Sequence, residues 1–289
     1  MMNVNPPIYF GIAGWSYPDW NGILYPAGLR EQLPFVARYV DLMEINSTFY
    51  RPPKARHAQA WLKQTAFKSD FRFTAKLHQD ITHGGKLEPE MARAFREGFQ
   101  PMTEAGKLLH LLAQFKFDFN DTPEHRAHLG RIREAFGDMT NLTLELRHNS
   151  WQAPAALAFL EGLKITVANL DYPLARNSFN LTACRIGADR YLRLHGRNAA
   201  AWFDKSTGRD ETYNYYYARA ELESIRQRAE TLRRDSRSLT VVANNHFQAK
   251  EVANILQLKA MMTGRKVPVP PGLLAKYPEL NDIAAPPSA

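Results

Sequence analysis

The stretch Leu142-Thr143-Leu144-Glu145-Leu146-Arg147-His148-Asn149-Ser150-Trp151 decides how the rest of the chain is read. Leu142, Leu144 and Leu146 alternate with Thr143, Glu145 and Arg147, which is the two-residue period of a β-strand. One face is therefore apolar and the other polar. On an open sheet the polar face would meet water. In a closed parallel barrel both faces are covered, and Glu145 and Arg147 would have to sit at a site. The neighbouring segments decide between the two.

Upstream, residues 108–115 form a strand pattern ending at Gln114, followed by a helix from Pro123, a good first-turn residue, to Phe136. Residues 71–78 form another strand with Lys76 and His78 at its polar end, then a loop through His83 and a helix over 89–103. Residues 42–50 carry Glu44 inside a strand, between helical patterns at 33–39 and 55–67. The first strand, residues 8–13, runs into the turn-rich Gly14-Trp15-Ser16-Tyr17-Pro18-Asp19-Trp20. Downstream, a helix over 154–163 leads to a strand at 165–170 ending in Asp171. Residues 174–186 read as either a short helix or an irregular cover. A strand at 190–194 ends in His195-Gly196-Arg197-Asn198, and residues 196–212 form a long polar loop containing Trp202. A helix over 213–234, a strand at 239–243 ending in Asn244-Asn245-His246, and a helix over 249–261 follow.

Strands alternating with helices imply a parallel sheet, and eight such units imply a (β/α)8 TIM-type barrel. A doubly wound open sheet is the alternative. The barrel is favoured because polar residues gather at nearly every strand end instead of at one switch point. Gly11 and Gly14 alone do not make a dinucleotide fingerprint. The barrel domain is assigned to residues 1–266, and the proline-rich residues 267–289 read as an extended strap or partly disordered tail.

The composition, 45% hydrophobic and 23% charged over 289 residues, is that of a globular chain with a large core. A formal charge of +8 leans towards anionic partners. Cys184 is the single cysteine, which excludes an intramolecular disulfide and a cysteine-based metal site. Residues 1–11 lack a basic start followed by an apolar core, and no apolar run is long enough to span a bilayer, so the expectation is a cytoplasmic protein without a membrane partner. Arg226, Arg228, Arg233, Arg234 and Arg237 read as the solvated face and end of a helix. Without interleaved aromatics they are a poor nucleic-acid footprint, and nucleic acid stands as the lesser alternative partner.

In a barrel the carboxyl ends of the strands share one mouth, which collects Glu44, Lys76, His78, Gln114, Glu145, Arg147, Asp171, His195 and Asn244. Any one buried acid in a strand is more often half of a structural ion pair. The set is harder to explain that way, because aliphatic residues would fill a barrel without the desolvation cost. Glycosidase chemistry is disfavoured, since Glu44 and Glu145 lie on strands across the barrel. Glu44, His78, Glu145, Asp171, His195 and His246 have suitable donor atoms for a divalent metal, but no tight motif pairs them, and Lys76 and Arg147 would repel a cation. No other cofactor is indicated. A small anion fits best, with Lys76, Arg147, Arg193 or Arg197 holding a phosphate or carboxylate while Glu145 or Glu44 and His195 move protons. Trp15, Trp20, Phe49, Tyr50, Trp151, Trp202 and Tyr213 follow strands and would form a stacking wall for a ring, although capping the core is the commoner fate of such residues.

The segments Gly14 to Trp20, Glu44-Ile45-Asn46-Ser47-Thr48-Phe49-Tyr50, Ile81-Thr82-His83, Glu145 to Trp151, Arg193 to Asn198 and Asn244-Asn245-His246 together resemble the YecE-like family, domain of unknown function 72. The resemblance runs from about Ile8 to about Met261 and implies a TIM-type barrel, while leaving the activity open. The strand-three segment 75–80 departs from the family's usual form, so Lys76 is carried over and His78 is not. The resulting expectation is a hydrolase, lyase or isomerase acting on a small anionic or nucleotide-like compound. Glu145 is the expected general base, Arg147 and Lys76 the anion clamp, and His195 the acid. Glu44, Asn46 and Asn244 would orient the ligand, Arg193, Arg197 and Asn198 would contact it, and residues 196–212 would form a lid. A non-catalytic anion or nucleic-acid binding protein is the alternative.

Overall fold

The computed structural model describes residues 5–204 and 206–286. A ring of parallel strands is formed by β1 (Ile8–Ala13), β2 (Leu42–Ile45), β3 (Arg72–Lys76), β4 (Leu108–Gln114), β5 (Asn141–Glu145), β6 (Thr166–Val167), β7 (Asn169–Asp171), β8 (Asp189–Leu194) and β9 (Ser238–Ala243). Their order is β6-β5-β4-β3-β2-β1-β9-β8-β7. Only Ala168 separates β6 from β7. β6 pairs with β5, and Ala168 N–H still bonds Leu144 C=O at 2.9 Å, whereas β7 pairs with β8. The expected sixth strand is thus one strand broken where it changes partner, and it closes the barrel.

The polar face of β5 now has its explanation. Leu142, Leu144 and Leu146 are buried in the core between sheet and helices, and Thr143 and Glu145 are buried inside the ring. The register sets Gln114 beside Glu145 and Ala13 beside Glu44, which brings these strand ends to one level. Deeper in, His110 Nδ1 meets Thr143 Oγ1 at 2.8 Å and Thr74 Oγ1 meets Tyr191 Oη at 3.1 Å. Gly11 is required on β1, because a Cβ there would lie 2.6 Å from Leu42 Cδ2 and 2.7 Å from Leu42 O.

The helix Pro123–Phe136 begins as its sequence suggests, with Thr122 Oγ1 accepting from His125 N–H. The helix expected from residue 213 begins only at Arg219. Asn254 holds the preceding backbone extended: its Oδ1 accepts from Tyr217 N–H, and its Nδ2 donates to Tyr217 C=O. Between β7 and β8 no helix forms. Asn169 staples that irregular cover by bonding both N–H and C=O of Cys184. Among the described residues no helix is long and apolar enough to cross a membrane.

The tail departs from the expected strap. It folds into a helix, Pro271–Lys276, and a 3-10 segment, Pro278–Asp282. Leu273 on the helix, Leu280 on the 3-10 segment and Tyr277 at the break between them all turn inwards. Tyr277 stacks on Tyr216 with ring centres 5.1 Å apart and donates to Gln248 C=O at 2.8 Å. Leu273 and Leu280 are fully buried. Replacing either by Ala is expected to cost roughly 2–4 kcal/mol in urea unfolding, as for core leucines elsewhere. Loss of under about 0.5 kcal/mol, the usual effect at an exposed site, would contradict this docking.

Candidate active site

The floor of the mouth is a buried charge network. Arg193, fully buried on β8, donates from Nη2 to Glu44 Oε1 at 2.5 Å and from Nη1 to Glu145 Oε2. The other oxygen of Glu44 accepts from Tyr191 Oη at 2.8 Å. Glu145 Oε1 accepts from Arg147 Nη2 at 2.6 Å and Nε at 3.0 Å. Gln114 Oε1 takes a further bond from Arg193 at 3.1 Å. Three strands that are not neighbours, β2, β5 and β8, are thereby joined across the lumen.

Above this floor lies a cavity of about 440 Å³. Gly14 starts its wall: its φ of +91° suits glycine, and a Cβ would meet Tyr17 Oη at 2.8 Å. Trp15, Tyr17, Phe49, Tyr50 and Tyr213 give the cavity aromatic sides. Tyr17 stacks on His246 with ring centres 4.4 Å apart. Lys76, Asn46, Gln114, Asn244, His83 and Arg209 supply its polar groups. Asn46 Oδ1, His83 Nε2 and His246 Nδ1 are buried without a protein hydrogen-bond partner, a cost that native interiors rarely accept.

Of the residues expected at the site, Lys76, Asn46, Asn244, Trp15 and Tyr50 line this cavity. Glu44, Glu145 and Arg193 lie in the floor. Arg147 turns towards Glu145 and lies 5.5 Å from the Trp202 ring centre. His195 is fully buried, with Trp202 and Tyr213 packed around it at ring distances of 5.7 and 6.3 Å. Trp202 is thus a cover over Arg147 and His195.

Other expected residues are spent on the fold. Trp151 is buried behind the strand ends, where Nε1 donates to Phe119 C=O at 2.8 Å, so it is core and not a stacking wall. Arg197 makes two bonds to Asp171, at 2.8 and 2.7 Å, and a third to Glu221 at 3.0 Å. Asn198 caps the helix Ala199–Phe203. His78 caps Gln79–Thr82 and meets Tyr50 C=O at 3.0 Å. Among the described residues no three His, Cys, Asp or Glu side chains converge as a metal site.

Tyr17, His83 and Arg209 enter the cavity without having been singled out, while His246, expected only as a metal donor, and Tyr213, expected in the aromatic wall, line it as well. Tyr17 and His83 sit in the motifs quoted above, whereas Arg209 comes from a stretch without periodicity.

These strand-end segments belong to one stretch of family likeness. The family described as "Protein of unknown function DUF72" matches residues 9–276. The chain belongs to the DUF72 family. It is 27% identical over 272 residues to the UPF0759 protein YunF of Bacillus subtilis, spanning 88% of this chain and 94% of that protein. The UPF0759 protein YecE of Escherichia coli K12 is 35% identical over 80 residues, 28% of this chain and 27% of that one. The crystal structure of a DUF72 family protein from Thermotoga maritima superposes with a TM-score of 0.78 at 29% identity, covering 89% of this chain and 99% of that one.

The electrostatics of this DUF72 mouth follow from burial. Burial alone would raise the Glu145 carboxyl, but Arg193 and Arg147 outweigh it and hold the group well below the usual range. Burial pushes His195 down to about 4, against the pull of Glu145. Neutral His195 accepts from Asn244 Nδ2 at Nδ1, 3.0 Å away, which leaves the Nε2 proton facing Glu145 Oε1 at 3.4 Å. Burial likewise pushes Lys76 down to about 8, with Arg193 adding to the effect and Glu44 opposing it. His246 falls to about 4 through burial, with Arg209 adding to it.

His195 and His246 therefore fold uncharged, while the unfolded chain protonates both near 6.5. Between pH 6.5 and 4 the unfolded state binds more protons, so stability falls as pH is lowered through that window, by on the order of 3 kcal/mol per residue. Urea unfolding from pH 7 to 4.5 is expected to show this loss, with a shallower slope in His195→Gln. An unchanged slope in the variant would show that His195 carries a proton in the folded protein.

Proposed function

We propose that the mouth of this DUF72 barrel is an enzyme active site that binds a small anionic compound on Lys76 and carries out acid–base chemistry on it. One observation carries the reading. The guanidiniums of Arg193 and Arg147 are matched by the carboxylates of Glu44 and Glu145, and Lys76 is the fifth charge, facing the cavity with no ion pair or hydrogen bond among the described residues. A desolvated ammonium without a counter-ion is costly, and a phosphate or carboxylate on a ligand would supply one. The aromatic sides suit a ring, and Asn46, His83 and His246 offer unspent polar atoms to its substituents.

The roles shift from those read in the strand pattern. A carboxylate held strongly anionic by two guanidiniums is a weak proton acceptor, so Glu145 acts as a positioning residue that fixes Arg193, Arg147 and His195. Lys76, with its pKa nearer to neutrality, becomes the leading group for proton transfer, and His246 shares the cavity wall. A nucleic-acid surface is less well supported. Arg226 pairs with Glu223 and Glu230, Arg237 pairs with Asp189, and Arg228 donates to backbone carbonyls, so these cations serve the fold.

The test is a thermal-shift screen of small phosphates and carboxylates, followed by NMR of each hit for turnover. Wild type is expected to be stabilised by an anionic compound and to convert it, whereas Lys76→Met should bind that compound at least about tenfold more weakly, the value of one charge-assisted bond. Equal binding by wild type and Lys76→Met would remove Lys76 from the site. Binding without conversion would favour the non-catalytic alternative.

A further inference from the structure

We propose that Lys76 is a nucleophile that takes an aldehyde or ketone substrate as an imine, which places the reaction among lyases or isomerases of carbonyl compounds instead of hydrolases. The inference rests on the reading of the mouth as an anion-binding active site and adds the chemistry of the bound group.

Three features of the geometry point to an amine and not merely an anion clamp. Lys76 is the last residue of β3, where its backbone is fixed by pairing with Leu112 of β4 and by Thr48 Oγ1, which donates to its carbonyl at 2.7 Å, and its side chain lines the cavity. Nζ lies over the Phe49 ring, 5.9 Å from its centre, and among the described residues makes no ion pair or hydrogen bond, so only that ring and the unbonded charges of Glu44 and Glu145 favour the ammonium. The four charges beneath it cancel in pairs, and burial with the nearby Glu44 holds the fully buried Glu251 carboxyl well above the usual range and so uncharged, which leaves this floor balanced only when Lys76 is uncharged or a ligand anion has entered. A clamp built for an anion alone would be expected to converge several donors. Here the neighbouring guanidiniums of Arg193 and Arg147 are committed to Glu44 and Glu145, and Arg209 at the rim already contacts Asp210.

The step balances without any redox partner. The unprotonated amine adds its lone pair to the carbonyl carbon, the carbon–oxygen π bond breaks, and a proton passes from nitrogen to oxygen to give a carbinolamine. The carbon–oxygen bond then breaks, water leaves, and a C=N bond forms. Hydrolysis reverses the sequence and returns the amine. Asn46 Oδ1, buried on the cavity wall without a partner, is an acceptor suited to the carbinolamine hydroxyl. The groups that set the amine's ionisation are Arg193 on β8, Glu44 on β2, and Glu145 with Arg147 at the end of β5, with His83 and His246 on the flanking loops. With its pKa pushed down to about 8, roughly one Lys76 in ten is neutral at pH 7, against fewer than about one in a thousand for an ordinary lysine.

The test is competitive reductive labelling of the intact protein with limiting carbonyl and cyanoborohydride, mapped by peptide mass. Formaldehyde probes the amine alone, and glyoxylate probes the amine and the anion site together. Lys76 is expected to be labelled by formaldehyde at pH 7 at least about tenfold faster than surface lysines, with a further gain for glyoxylate. Lys76→Arg, which keeps the charge, should lose the fast phase with both. Fast labelling by formaldehyde without a gain for glyoxylate would uphold the nucleophile and count against the anion reading. Glyoxylate that shields Lys76 from formaldehyde yet is not reduced onto it would overturn the imine and leave the anion site standing. Labelling of Lys76 no faster than the surface lysines, with no shielding, would overturn both.

Discussion

Everything at the mouth of this barrel depends on Arg193 being held between two carboxylates in the lumen. A guanidinium taken wholly out of water is tolerable only when its charge is answered and most of its donors are used. Glu44 and Glu145 answer it from β2 and β5 through Nη2 and Nη1, Gln114 takes a further bond from Nη1, and Nε is left without a protein partner. Each carboxylate is then held by a second group, Tyr191 for Glu44 and Arg147 for Glu145. The network ties together strands that never pair with one another. An aliphatic filling would close the same lumen without desolvating any ion, so the retention of these charges is better explained by what they do to the groups above them.

Their effect is to set a floor that is charged but balanced. Lys76 lines the cavity above it with no ion pair or hydrogen bond among the described residues, and burial together with Arg193 weakens its hold on a proton. His195 is kept neutral and gives a defined tautomer to Asn244 at the cavity edge. The segment after β8 completes the enclosure. It is anchored at its base by Arg197 on Asp171 and Glu221, carries Trp202 over Arg147, and brings Arg209 and Tyr213 to the cavity. The same segment therefore closes the floor and shapes the chamber.

The alternation from Leu142 to Arg147 was legible in the sequence because a two-residue period survives whatever surrounds it. Once the number of strands implied a closed ring, the direction of Glu44, Lys76, Glu145 and Arg193 followed from parity alone. Legibility ended where the chain leaves a strand. Arg197, Asn198 and Trp151 stand three to six residues beyond strand ends, where parity no longer assigns a face, and each is used in a cap, an ion pair or the core. Arg209 could not be found at all, since its position is set by a loop fold and not by a repeat. The prolines of the tail suggest extension, but Pro271 and Pro278 each stand at the first turn of a short helical segment, a position that proline favours, and Leu273, Tyr277 and Leu280 anchor the two segments. The balance of charge was hidden for a different reason: composition counts cations and anions, but pairing is a property of three dimensions.

Lys76 is the cation of the mouth left without an ion pair among the described residues, and the most direct measurement of its state is its titration. Carbon-13 NMR of the protein labelled at lysine Cε would follow each amine through pH. The account predicts one resonance titrating near pH 8, assigned by its loss in Lys76→Arg, with surface lysines near their ordinary values. A Lys76 resonance that titrates with the surface lysines would contradict it, since burial and Arg193 would then not be weakening the ammonium.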